Sequence, residues 1–325
     1  MAAGEPDVPS SGPAVVALGG GHGLAASLTA LRQVTRRLTA VVTVADDGGS
    51  SGRLRQELGV LPPGDLRMAL AALCGDEEWD QTWRDVVQHR FRGKGDLQGH
   101  SVGNLLIVAL WEIVDTDPVA GLDWVGRLLR TRGRVLPMAT VPLDIVAQVA
   151  RRDGSATVDE VVGQVAVATT TGELLEVALR PANPPACPQA VTAVQEADWV
   201  VLGPGSWFTS VIPHLLVPEL AAALTTTRAS RCVVMNLDPQ LGETTGFTPD
   251  EHLEVLATHA PDLRLDVVLA DSSSVADPTS LAATAARLGA SLQLTDLRVA
   301  DGSPQHDSAL LARAYEGVLI GAGQG

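Results

Sequence analysis

Three consecutive glycines constrain this chain more than anything else in it. Gly19-Gly20-Gly21-His22-Gly23-Leu24 follows the short apolar run Ala14–Leu18 and precedes Leu24, Leu28, Leu31 and Val34, whose spacing predicts a helix within 24–38. The β-branched run Thr39–Ala45 then predicts a second strand, which completes a β-α-β unit. In such a unit the bare amides of the loop and the helix N-terminus face one point, a geometry that favours phosphate. Gly21-His22-Gly23-Leu24-Ala25-Ala26 also satisfies G-x-G-x-x-A, and Asp46 ends the next strand twenty residues after Ala26. A dinucleotide site is therefore one open reading.

The rest of the chain extends this α/β rhythm. Leu66–Trp124 has apolar residues three and four apart and reads as two or three helices, with Trp79 and Trp83 as core anchors. Residues 134–180 change texture to β-branched stretches, Val135–Thr140, Ile145–Val149, Val161–Thr169 and Leu174–Leu179, separated by turn signals such as Asp153-Gly154 and Thr171-Gly172. They predict an antiparallel, β-rich insert. Buried-strand runs resume at Trp199–Leu202, Cys232–Met235 and Val267–Ala270. The expected architecture is α/β, a Rossmann-like, mainly parallel sheet with helices on both faces and a smaller β-rich insert. It forms a single domain over 14–320, with a loose leader at 1–13 and a tail at 321–325.

Four further polar segments stand at strand ends or helix starts. Asp46-Asp47-Gly48-Gly49-Ser50-Ser51-Gly52-Arg53-Leu54-Arg55 joins two carboxylates, two hydroxyls and two arginines. Ser50, Ser51, Arg53 and Arg55 suit a diphosphate, while Asp46 and Asp47 suit a ribose, a sugar hydroxyl or a divalent cation. Pro62-Pro63-Gly64-Asp65-Leu66-Arg67 places Asp65 at a plausible helix cap and Arg67 in the first turn. Gly99-His100-Ser101-Val102-Gly103-Asn104 and Gly203-Pro204-Gly205-Ser206 complete the set. Together they predict one crevice lined by Gly20, Gly21, His22, Gly23, Asp46, Asp47, Ser50, Ser51, Arg53, Asp65, Arg67, His100, Asn104, Gly203, Gly205 and Ser206. Asp46, Asp47 and Asp65 are the candidates for a magnesium ion.

Composition removes several alternatives. The 325 residues carry 38 acidic and 23 basic side chains, a net charge of −15, which disfavours nucleic acid as a partner. Lys94 is the only lysine and is followed by Gly95, so no Walker A loop exists. Cys74, Cys187 and Cys232 match no zinc or disulfide spacing, which suits a reducing cytoplasm. The start Met-Ala-Ala-Gly-Glu-Pro-Asp resembles no secretory signal, and the long uncharged run Trp199–Pro218 is broken by Gly203, Pro204, Gly205 and Pro213. No membrane association is expected. There is no G-x-S-x-G, H-E-x-x-H or C-x-x-C, and no nucleophile and base can be paired by spacing.

Gly19–Leu24, Val42–Arg55, Pro62–Arg67, Gly99–Leu106 and Gly203–Pro213, followed in order by Asn236, Gly242-Glu243-Thr244 and His252, strongly resemble the YvcK family of gluconeogenesis factors over about residues 14–260. The resemblance implies a cytoplasmic, Rossmann-like bacterial protein linked to gluconeogenic growth, cell-wall precursor supply and cell shape. It also implies a nucleotide-sugar ligand of the UDP-N-acetylglucosamine type. It extends to the 2-phospho-L-lactate transferases, which use a guanosine diphosphate-linked substrate. His22 stands where that family usually has threonine, and His214 where asparagine is usual.

Three readings follow. The first is a regulatory protein whose surface responds to a bound UDP-sugar, with an unidentified protein partner and a homo-oligomeric assembly expected. The second is a metal-dependent phospholactyl or phosphoryl transferase, with Asp46, Asp47 or Asp65 on magnesium and Arg53 or Arg67 on developing charge. The third, an NAD-dependent oxidoreductase, leaves the Asp46–Arg55 and Gly203 loops unexplained.

Overall fold

The computed structural model describes residues 12–115, 117–151, 157–240 and 242–321. The expected leader and tail therefore lie almost wholly outside the described residues, as does the Asp153-Gly154 turn.

Strand β1 (Val15–Gly19) is buried along its whole length and sits inside a seven-stranded sheet. Its neighbours are β2 (Leu38–Val42) on one side and β7 (Trp199–Leu202) on the other. Beyond β2 lies β3 (Arg134–Pro137), and beyond β7 lie β8 (Ser230–Val234), β9 (Val267–Asp271) and β10 (Ser291–Thr295). Every pairing in this sheet is parallel. Helices cover both faces, which explains why the inner strands read as unbroken apolar runs rather than alternating ones.

The order β3-β2-β1-β7-β8-β9-β10 is a doubly wound arrangement that reverses direction between β1 and β7. Three strands interrupt its numbering: β4 (Asp144–Ala150), β5 (Val158–Val162) and β6 (Glu173–Arg180) form a separate antiparallel sheet with β4 central. The insert is thus present but begins later than the residue pattern implies. Val135 belongs to β3, in register with Ala40 of β2, so the first predicted insert strand is part of the main sheet. The expected strand Val161–Thr169 instead divides at Gly163 (φ 104°) into the end of β5 and a short helix, Gln164–Ala168.

Helix α1 (Gly21–Leu31) follows β1, and α2 (Gly49–Leu58) follows β2. The helical stretch after them comprises four helices, α3 (Gly64–Ala72), α4 (Glu78–Gln88), α5 (Val102–Ile113) and α6 (Pro118–Leu128). Trp83 packs partly on the core, whereas Trp79 is 50% exposed and rests on Trp83 and the Leu128 carbonyl. Trp79 is therefore not the core anchor its spacing suggested: α4 is an outer helix, with Asp80 and Val87 its only fully buried positions. The last helix, Ser308–Leu319, returns to α1 through a buried hydrogen bond of 2.7 Å between Tyr315 and Ser27.

Among the described residues no single helix is long and apolar enough to cross a membrane. The bent pair Trp207–Leu215 and Pro218–Thr226 has suitable composition, but Trp207, Val211, Ile212, Leu220 and Leu224 belong to the protein core. All three cysteines are buried and free.

Candidate functional site

The carboxyl ends of β1, β2 and β7 place the glycine loop, the Asp46 segment and the Gly203 loop side by side at the reversal of strand order. Ligands of doubly wound sheets bind at this point. Gly23, on the first turn of α1, lies flush against the second loop: a Cβ there would overlap the Pro204 carbonyl oxygen. That glycine serves loop packing. Gly20 plays a different part, because a Cβ on it would come within 2.5 Å of Asp65 Oδ2.

Asp65 does not cap its own helix. It occupies the second position of α3 and accepts a hydrogen bond from the Gly21 amide, so that its carboxylate fills the N-terminus of α1. The chain thus places its own carboxyl group where the sequence predicts a phosphate. Burial raises the Asp65 pKa from 3.8 to about 7, and the nearby Asp46 carboxylate adds to the rise. Asp46 also accepts from the Gly48 amide at 2.9 Å, and its other oxygen approaches Gly64 beside Ser51. Four helix N-termini, those of α1, α2, α3 and α5, converge here with two carboxylates between them.

A buried polar cluster joins three of these helices. Ser50 Oγ lies 3.1 Å from His100 Nδ1 and accepts from the Ser101 amide and from Asn104 Nδ2. Asn104 Nδ2 also reaches Ser51 Oγ at 3.5 Å, while its Oδ1 accepts from Arg67 Nε at 3.0 Å. Ser50, Ser51, Arg67, His100 and Asn104 are all less than 8% exposed. Burial, helped by the Arg53 charge, pushes the His100 pKa down, which favours a neutral ring able to share a proton with Ser50. Burial and the neighbouring Arg90 lower the Arg67 pKa to about 10, still far above neutrality.

The loop after β7 is held by Asn236, which exchanges hydrogen bonds with the backbone of Gly205 at 3.0 and 2.9 Å. Ser206 then opens a π-helical turn, Trp207–Val211, whose first amides are taken by Glu243. That buried carboxylate accepts from Phe208, from Thr209 at 2.9 Å and from the Ser206 hydroxyl. Burial raises its pKa, and the three donors counter the rise.

The remaining candidates stand on the rim. His22 is exposed on the first turn of α1. Asp47 is exposed, and its Oδ1 accepts from the Val165 amide at 3.0 Å, tying the loop to the β-rich insert. Arg53 donates to the carbonyls of Asp96 and Gln98, and Arg55 pairs with Asp144 at 2.7 Å. These arginines therefore brace α2 against its flanks. His214 is fully buried, and its Nε2–H donates to the Val41 carbonyl at 3.1 Å.

For a cation, Asp46, Asp65 and Ser51 offer adjacent oxygens, whereas Asp47 is engaged with the insert. Among the described residues no group of three or more His, Cys, Asp or Glu side chains is placed to hold a metal. Two carboxylates fit magnesium bound jointly with a ligand's phosphates better than a cage built from protein alone. Glu243 and Asn236 are the site residues missing from the candidate set. Their order along the chain fits the resemblance, but neither carries a periodic or spacing signal that ties it to Ser206 or Gly205.

The fold and these loops define a Rossmann-like protein with its crevice at the strand-order reversal. The chain belongs to the YvcK family of gluconeogenesis factors, within the wider family described as 2-phospho-L-lactate transferase CofD, which matches residues 15–298. It is 50% identical over 318 residues to the "Putative gluconeogenesis factor" of Mycobacterium leprae, covering 96% of this chain and 88% of that one. It is 36% identical over 265 residues to the "Gluconeogenesis factor" of Bacillus subtilis, covering 82% and 80%. A crystal structure of a UPF0052-family protein from Bacillus halodurans superposes with a TM-score of 0.81 at 32% identity, over 92% of this chain and 97% of that one.

Proposed function

We propose that the crevice binds a nucleoside diphosphate bearing a small group, a nucleotide sugar of the UDP-N-acetylglucosamine type. On this reading the protein acts as a cytoplasmic regulator of central carbon metabolism, cell-wall precursor supply and cell shape. The observation that carries it is the convergence of the N-termini of α2, α3 and α5 with the Gly203 loop at the strand-order reversal, the N-terminus of α1 being taken by Asp65. Backbone amides at these helix starts can hold a diphosphate there without any lysine. The glycine loop alone would equally suit NAD, but the Ser50–His100–Asn104–Arg67 cluster adds hydrogen-bonding groups that a dinucleotide fold does not need.

A transferase reading is favoured by one observation, the Asp46–Asp65 pair. A carboxyl with a pKa near 7 beside a second carboxylate can exchange a proton near neutrality or share a magnesium ion with a diphosphate. Calorimetry of the full chain with UDP-N-acetylglucosamine, GDP and NAD, with and without magnesium, followed by product analysis, tests both. Saturable UDP-sugar binding without turnover is expected. No heat with the UDP-sugar sinks the first reading, and magnesium-dependent product replaces it with the second.

A further inference from the structure

Beside the crevice, one cleft gathers four arginines. Helices α1, α3 and α4 bound a cleft of about 490 Å³ whose walls carry His22, Arg32, Arg67, Arg84 and Arg90, with no carboxylate among the described lining residues. In a chain of net charge −15, this reverses the local sign. Asp76 holds Arg32 at 2.7 Å and Asp85 touches Arg84 at 3.4 Å. Neither Arg67 nor Arg90 forms an ion pair among the described residues: Arg67 donates through Nε to Asn104, and Arg90 through one nitrogen to the Gly99 carbonyl.

Arg67 is only 4% exposed, and its two terminal nitrogens have no hydrogen-bond acceptor among the described residues. Those nitrogens are not sealed from solvent but open on the cleft, so an anion there would replace their water contacts with charge-assisted hydrogen bonds. We propose that this cleft binds a small phosphate monoester, held by Arg67 and Arg90 and drawn in by Arg84. A dianion with three equivalent oxygens matches two guanidiniums, whereas one carboxylate neutralises only one of them. The volume suits one small molecule, and the surrounding negative charge opposes a long polyanion. The cleft adjoins the nucleotide crevice through His22 and Arg67 but has its own far wall.

The test titrates glycerol 3-phosphate, with citrate as comparison, into the full chain and into an R84Q/R90Q variant checked for folding by circular dichroism. Both substituted side chains reach the surface, so the fold is expected to persist. Saturable glycerol phosphate binding is expected in the parent, weakened at least tenfold, about 1.4 kcal/mol, in the variant. UDP-N-acetylglucosamine titrated into the same two proteins should give equal affinities. Absence of saturable glycerol phosphate binding, an unchanged affinity in the variant, citrate binding as tight as the phosphate, or joint loss of both ligands would each overturn the proposal. A parent that binds glycerol phosphate but not the UDP-sugar supports the cleft and removes the nucleotide reading alone.

Discussion

Arg67 Nε donates to Asn104 Oδ1 at 3.0 Å, and through that bond the first turn of α3 is fixed to the first turn of α5. The amide's other end reaches Ser50 and Ser51 of α2, so one buried side chain aligns three helix starts. Asn104→Ala would leave a buried guanidinium nitrogen and two hydroxyls short of partners. A stability loss of about 1–3 kcal/mol is expected from denaturant midpoints, with ligand affinity falling as Arg67 loses its orientation.

Two pH-dependent contributions run in opposite directions. Asp65 has a folded pKa of about 7 against 3.8 for the free group, so its contribution is fully present below pH 3.8 and is lost as pH rises through 7. Burial lowers the His214 pKa from 6.5 to about 4, so its contribution is present above pH 6.5 and is lost as pH falls through 4. Asp65→Asn should remove the decline toward neutrality, a change on the order of a few kcal/mol at most. His214→Gln should soften the acid limb. Urea midpoints measured across this pH range, variant by variant, check both signs.

Glu243 takes the amides that would otherwise be orphaned at the start of the Trp207–Val211 turn. Glu243→Ala is expected to speed hydrogen exchange at Phe208 and Thr209 while the amides of β7 stay protected. Uniform acceleration across the sheet would mean that the carboxylate supports the whole domain rather than this loop.

Gly23→Ala introduces a methyl group where the Pro204 carbonyl already sits. Thermal and chemical denaturation should show a loss of about 1–3 kcal/mol. Gly49→Ala, whose Cβ position meets nothing within 4 Å but whose φ is +48°, separates backbone strain from crowding.

Much of this arrangement was legible in the residues. The β-branched runs and the glycine loop announce β1, α1 and β2 because parallel, doubly covered strands carry mostly apolar side chains. What local pattern could not convey was pairing between distant segments. Val135 and Ile145 have the same strand character, yet one extends the main sheet and the other builds the insert. Asp65 reads as the cap of the helix it begins, and only the close approach of α1 and α3 turns it toward Gly21. Arg53 and Arg55 resemble a clamp in sequence, but α2 carries them outward to Gln98 and Asp144. Glu243 is separated from Phe208 by 35 residues, a relation that no helical or strand period encodes.

The contact between Gly23 and Pro204 joins the two halves of the doubly wound sheet, backbone to backbone, at the floor of the crevice. A hinge that swings one half away from the other would have to part those chains rather than slide side chains. On the proposed reading, a nucleotide would meet a floor already set, and selectivity would rest on the residues standing around it.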